Sequence, residues 1–448
     1  MDDVVNFFGI ERVLGEDEDS DSSEGSSVTP PSERTEDQVD YLRQESLISY
    51  DTSLPGLHVY LGNDLQELSG RTVLDEDSCQ TIPIISLPGV VLMPGQILPL
   101  QLFNTATISM MIQIINNDRT FGLVNSRFSG RMFSNTLETV GTTVEIRSYR
   151  EVERIYGGNF LRIKAEGRQR FKVLETKTQS DGIISAKVQI LPELITTDPG
   201  ECSKLSSLNK FRNPPPNLNS KKETNEYQCH QLVHRSAHKY NKFDFTNYTW
   251  FPEFVYKLYD PHILMKRIKE ALKYWNRTDE KQDFMPCDPK EFSYWIAANL
   301  PLNDKQRLDL LKLNEVTERL RLELQILDEC SALTCRDCMN IIAYREDIFS
   351  MSLQGPQGTY VNPNGYVHEA ITVYKASKLR TVGRPSTEAS WFPGYAWTIV
   401  ECERCSCHMG WRFTAVDKKV KPVKFWALCR SSIQNTIAGA SHPTDVYV

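Results

Sequence analysis

The chain has 448 residues, of which 40% are hydrophobic and 24% charged, and carries a formal net charge of -7. That length exceeds what one core fills, so two or three domains are expected. The mild acidity provides no polyanion-binding surface, and no run approaches the ~20 apolar residues a bilayer needs, so neither a nucleic-acid nor a membrane partner is expected. The opening stretch, MDDVVNFFGIERVLGEDEDS, lacks a basic segment leading into a long apolar run, which argues against a secretory signal. Eleven cysteines are too few for a disulfide scaffold, and an unsecreted chain is expected to keep them reduced.

Residues 15–40 are acidic, serine-rich and almost without apolar side chains, so residues 1–79 are expected to hold a disordered tail and an N-terminal arm. From Ile82 onward, IPIISLPGVVLMPGQILPLQLF alternates short apolar runs with Pro-Gly punctuation, the pattern of brief strands joined by turns. ISMMIQIINNDR (108–119) has helical spacing. TTVEIRSYREVER, FLRIKAEGRQRFKVLE and GIISAKVQIL alternate with period two. A small β-rich domain with one helix is therefore predicted over 80–192. Residues 200–250 are polar and irregular, which predicts a long insertion.

Helical periodicity takes over in PEFVYKLYDPHILMKRIKEALKYW, PKEFSYWIAANL and DKQRLDLLKLNEVTERLRLELQILDEC, predicting a helical subdomain over 193–328. In the last of these, Leu313, Val316, Leu320, Leu324 and Leu327 recur at steps of three and four, which predicts a helix with a buried stripe. Beyond it the chain turns β-rich and aromatic, giving a second β domain over 329–430 and a tail, 431–448, without clear signal.

Two C-x-x-C pairs, Cys335 with Cys338 and Cys402 with Cys405, form the strongest local motif. Each tight turn aims two thiolates at one point, and two such turns complete a closed tetrahedral Zn²⁺ site that is structural rather than catalytic. Sixty-three residues separate Cys338 from Cys402, so the metal is expected to staple the ends of a whole β domain. Around the second pair, SWFPGYAWTIVECERCSCHMGW concentrates Trp391, Trp397 and Trp411. Large aromatics often form the core of small β domains. Against that, Pro393 and Gly394 mark a turn expected to present its aromatic neighbours at the surface, where three indoles would wall a pocket for a small flat or cationic group.

YVNPNGYVHE, GRPSTEASWFPGYAW, CERCSCHMGWRFTA and KFWAL closely resemble the thalidomide-binding, or CULT, domain of the cereblon family. LPGVVLMPGQILPLQLF and GRQRFKVLETKTQSDGIISAKVQILPE resemble that family's Lon-protease-type N-terminal domain. The resemblance covers about residues 80–430. It implies a multidomain α+β protein with a Lon-N-like β domain, a helical subdomain and a zinc-stapled all-β domain of β-tent type.

It further implies a non-catalytic substrate receptor of a cullin-4 RING ubiquitin ligase. The helical subdomain would dock on the β-propeller adaptor, damaged-DNA-binding protein 1, and the receptor would work in cytoplasm and nucleus. There is no G-x-x-x-x-G-K-[ST] phosphate loop, consistent with a Lon-like segment lacking the ATPase.

Carried over position by position, Cys335, Cys338, Cys402 and Cys405 match the zinc ligands. Trp391, Trp397 and Trp411 match the walls of a glutarimide pocket, with Tyr395 and Phe413 as supporting aromatics and Asn362 on a covering loop. Ala389 stands where relatives commonly have histidine. The family uses the backbone carbonyl at that position, beside Ser390, so the hydrogen bond survives the change while the rim loses an imidazole. Ile399 is expected on the outer face, where it would influence which proteins dock beside a ligand.

Two other readings stay open. Cys429 in FWALCRSS suggests an enzyme like the B-type methionine-sulfoxide reductases, which needs an activated thiolate. A tryptophan cage also suggests a methyl-lysine reader.

Overall fold

The computed structural model of the protein describes residues 48–70, 72–129, 134–153, 159–194, 257–273, 275 and 285–436. The expected acidic tail at 15–40 and insertion at 200–250 lie outside them. The described residues all belong to one compact unit.

A helical turn, α1 (Leu54–Leu57), lies in the N-terminal arm. The first β layer comprises β1 (Gln66–Glu67), β2 (Cys79–Ser86), β3 (Ile97–Leu102), β4 (Thr120–Val124), a side hairpin β5 (Ser126–Ser129) and β6 (Ser134–Leu137), then β7 (Val140–Glu153), β8 (Asn159–Thr178) and β9 (Ile184–Ile190). The order is β1-β7-β4-β2-β9-β8-β3, and an extra β7–β8 pairing closes the sheet on itself. Closure removes strand edges that would otherwise pair with other chains. Alternation buries Leu161, Ile163 and Ala165 of β8 inside it. Helix α2 (Thr105–Asn116) begins where the Asn104 side chain accepts from Thr107 N, and it plugs the core with Ile108, Met111 and Ile115.

The helical region contains α3 (Pro261–Ala271), α4 (Pro289–Asn299), α5 (Asp304–Lys312) and α6 (Val316–Glu329). Asp260 and Asp288 cap α3 and α4, each with Pro at the first helical position. The run expected as one helix over 304–330 is two. An Asn303/Gln306 capping box starts α5, and the chain then leaves the helix at Leu313. The break has a tertiary cause: Arg170, from β8, donates to the carbonyls of Leu311 (3.0 Å) and Leu313 (2.8 Å) and to Asn314 Oδ1 (3.1 Å). Arg319 also donates to Leu313 O, at 2.8 Å. Those carbonyls meet guanidinium groups instead of helical N–H donors. The apolar stripe survives the break, since Val316, Leu320, Leu324 and Leu327 are buried.

The C-terminal layer contains β10 (Ala332–Cys335), β11 (Ile341–Tyr344), β12 (Gln357–Val361), β13 (Val367–Val373), β14 (Leu379–Ser386), β15 (Tyr395–Cys402), β16 (His408–Ala415), β17 (Lys424–Cys429) and β18 (Ile433–Thr436). Six strands run β12-β13-β17-β16-β15-β14, and three run β11-β10-β18. β18 falls in the stretch read as a tail, and it pairs with β10 through Cys335↔Ile433. One hydrophobic core joins the α3–α6 helices to this layer, including Leu320, Leu327, Leu333, Ile342, Val400 and Leu428.

Candidate functional site

Both C-x-x-C turns have the same local build. Met339 N donates to Cys335 O (2.9 Å) and Ser406 N to Cys402 O (2.8 Å), with Met339 (φ 60°) and Ser406 (φ 58°) left-handed just after the second cysteine of each pair. These turns bring Cys335 Sγ to 3.6 Å from Cys405 Sγ and Cys338 Sγ to 3.5 Å from Cys402 Sγ. All four sulfurs lie within 4.8 Å of one another. Four sulfurs at Zn–S distances of ~2.3 Å form a tetrahedron with edges of about 3.8 Å, so the set fits one zinc ion. Asn340 Nδ2 lies 3.9 Å from Cys402 Sγ, an outer group directed at a ligand. The metal ties β10 to the β15–β16 turn, which makes it structural.

The tryptophans come from three places. Trp391 lies in the turn before β15, Trp397 on β15 and Trp411 on β16. Trp391 and Trp411 meet edge to face at 4.5 Å between ring centroids. Trp397 pairs across the sheet with Phe413, and Ile399 with Trp411, so these four share one sheet face. The Trp397 indole N–H donates to Glu388 O at 2.8 Å, fixing the preceding turn against β15. In that turn Ala389 has φ 49°, a left-handed conformation unusual for alanine, and Ser390 Oγ donates to Phe392 O at 3.0 Å.

The expectation that the Pro-Gly turn presents its neighbours at the surface is corrected. Trp391 is 7% exposed, and Phe392 and Tyr395 are 0% exposed, leaving Gly394 as the exposed tip. Aromatic packing wins: Phe392 meets Phe413 at 4.8 Å and Phe425 at 4.9 Å, while Tyr395 Oη donates to Pro422 O at 2.8 Å. Phe413 stacks on Phe425 at 5.1 Å. Tyr395 and Phe413 therefore support the site from within the core. Asn362 sits in the β12–β13 turn, where its Oδ1 accepts from Asn364 N (3.1 Å) and Tyr366 N (2.8 Å), so this oxygen braces its own loop.

Three members of the cluster were missed from sequence. Tyr360 stacks on Trp391 at 4.8 Å and 9°. His368 lies 5.8 Å from Trp391 and 5.1 Å from Trp411, and His408 lies 5.0 Å from Trp411. A hairpin centred on NPNG pairs Tyr360 with His368, so strand alternation about that turn was the available signal. Burial lowers both imidazoles, His368 to about 4 with help from His408, and both are neutral near pH 7.

Cys429 is 3% exposed, its sulfur 3.8 Å from His408 Nε2, and burial, aided by Cys407, pushes its thiol up to about 12.

Residues 81–329 match the family model described as the ATP-dependent protease La (LON) substrate-binding domain. Residues 331–446 match Yippee zinc-binding/DNA-binding/Mis18, centromere assembly. Fold, four-cysteine centre and family models together define a protein in which a Lon-type substrate-binding domain is joined to a Yippee-type zinc domain. The chain is 45% identical to protein cereblon of Danio rerio over 398 residues, covering 88% of this chain and 90% of the relative. It is 46% identical to protein cereblon of Gallus gallus over 392 residues (87% and 85%) and 45% to that of Xenopus tropicalis over 398 residues (88% and 86%). The chain belongs to the cereblon family.

Proposed function

We propose that this chain is the substrate-recognition subunit of a cullin-4 RING ubiquitin ligase, taking cyclic imides, either small glutarimides or imide-bearing protein termini, at the tryptophan cluster. The observation that carries the reading is the juxtaposition of the Trp391–Trp411 pair with the Glu388–Ser390 turn, which the Trp397 indole holds. Indole faces stack on a flat ring and exclude water. The backbone of the turn, with Ala389 at its centre, supplies hydrogen bonds that a ring without the imide would leave unpaired.

The chain itself makes no bond in this reading. Residues 193–328 dock on damaged-DNA-binding protein 1, and through it on cullin-4 and the RING subunit. Recognition raises the effective concentration of a target protein near the ubiquitin-conjugating enzyme. The work is done in cytoplasm and nucleus, which fractionation of cells tests.

The two alternatives fit less well. A reductase needs an accessible thiolate, whereas Cys429 is buried and its thiol pushed up. A methyl-lysine cage gains from carboxylates against its rings, whereas the rings that pack on Trp411 include the imidazoles of His368 and His408.

Tryptophan fluorescence of the zinc-loaded protein, titrated with a glutarimide, tests the pocket. Saturable quenching is expected, and it is lost in Trp397→Ala. Co-purification with the adaptor tests the docking, and its absence from full-length protein with ordered helices overturns that part of the reading.

A further inference from the structure

The β12–β13 hairpin carries the tryptophan cluster on one face and a buried ionic network on the other, and adjacent cross-strand pairs serve the two. Tyr360 and His368 are partners and face Trp391. Thr359 and Glu369 are the next partners and face the opposite way. Glu369 Oε1 accepts from Arg307 Nη1 at 2.6 Å, and Glu369 Oε2 accepts from Arg430 Nε at 2.8 Å and lies 2.6 Å from Arg430 Nη2. Arg430 also reaches Asp304 Oδ1 (2.6 Å), Leu302 O (3.2 Å) and Gly89 O (2.5 Å). Arg307, Glu369 and Arg430 are 0%, 7% and 4% exposed.

Gln96, in the turn before β3, joins this network to the hairpin. Its Oε1 accepts from Arg307 Nη2 at 2.9 Å, while its Nε2 donates to Thr359 Oγ1 at 2.9 Å and lies 3.4 Å from Glu369 Oε1. One amide thus bonds to groups on α5, β12 and β13, and its Oε1 also accepts from Met93 N at 3.1 Å within its own turn. Buried polar groups with two or more fixed partners have a single low-energy arrangement, because any shift leaves a donor or acceptor unpaired.

We infer that Gln96, through Thr359 and the Arg307–Glu369–Arg430 cluster, is a positioning residue for the tryptophan site, setting the height of Tyr360 and His368 behind Trp391 and Trp411. The Lon-type sheet then contributes to ligand affinity without touching the ligand. The inference rests on the pocket reading for its ligand, but not for the geometry it asserts.

The experiment uses the full-length, zinc-loaded chain. Gln96→Ala and the near-isosteric Thr359→Val each remove one partner, Thr359→Ser keeps the acceptor, and Gln96→Ala/Thr359→Val closes a double-mutant cycle. Glutarimide affinity is expected to fall about three- to tenfold in Thr359→Val, the range for one hydrogen bond, and at least as far in Gln96→Ala, which removes more than one. The double variant is expected to be no weaker than Gln96→Ala alone, and Thr359→Ser to bind like the parent. Amide exchange over residues 357–373 is measured without ligand and is expected to be faster in Gln96→Ala and Thr359→Val. Parental affinity together with parental exchange in Gln96→Ala overturns the inference, as do fully additive losses in the cycle. If the parent protein binds no glutarimide, the pocket reading falls. The exchange comparison then decides alone, faster exchange supporting the positioning role and unchanged exchange overturning it.

Discussion

Tyr360 lies flat on Trp391, ring planes 9° apart and centroids 4.8 Å apart, so one face of the candidate pocket's inner tryptophan is occupied by a residue from a different hairpin. Trp411 meets Trp391 edge-on at 4.5 Å. The orientation of Trp391 is thus set by its neighbours before any ligand arrives, which lowers the ordering cost of binding.

Tyr360→Phe keeps the stacked ring and is expected to bind a glutarimide like the parent. Tyr360→Leu removes the stack, worth about 0.5–1.5 kcal/mol beyond area burial, and affinity should drop up to about tenfold with zinc stoichiometry unchanged. Fluorescence titration with a parallel zinc assay separates the two effects.

Ala389 sits at φ 49°, where an L-residue meets a steric cost of roughly 1–2 kcal/mol. Ala389→Gly removes that clash and is expected to leave stability unchanged or raise it by up to about 1 kcal/mol. Ala389→Val, β-branched in the same conformation, should lower it by more than that. Urea midpoints of the three proteins check the order.

The N-terminal arm should loosen in mild acid because of His58. This ring is 3% exposed and its Nδ1 lies 2.9 Å from Tyr60 Oη, which accepts from Val361 N at 3.2 Å. In either tautomer Nε2 is buried with no hydrogen-bond partner among the described residues, so a charged ring would lose its solvation without a second acceptor to offset it. Burial, with the Lys164 charge, lowers His58 to about 3, against an ordinary 6.5. Between those values the undocked ring binds the proton and the docked ring does not. Stability is therefore full above pH 6.5, falls as pH drops through 6.5, and stops falling near 3. The cost between pH 7 and 5 is on the order of 2 kcal/mol. His58→Phe should lack this component, so urea unfolding at the two pH values should show a larger loss for the parent than for the variant.

One zinc per chain is expected from mercurial release monitored with a metal indicator. Cys405→Ser, changing the exposed ligand, should abolish tight binding and the near-ultraviolet dichroism of the C-terminal aromatics, because structural zinc binding of ~10 kcal/mol is folding free energy. Native dichroism in a zinc-free variant would mean that the metal does not hold the layer together.

Much of this protein was legible in the chain because it is written in short-range terms. Paired C-x-x-C spacing located the zinc ligands, period-two runs located β7 to β9, and the stripe from Val316 to Leu327 marked a buried helical face. Each signal acts within a few residues, where backbone geometry alone decides which way side chains point. What the chain left undecided depends on partners far along it. Arg170 ends α5 from across the fold, and Tyr360 and His368 complete a cluster whose tryptophans begin at Trp391. The Pro-Gly turn buries its aromatics because Phe413 and Phe425 await them on other strands. Ala389 takes a left-handed conformation within a turn that Trp397 holds from β15. In each case local propensity was overruled by a contact that exists only once the layers have packed, since burying aromatic area and pairing buried charge outweigh the preference of a single residue.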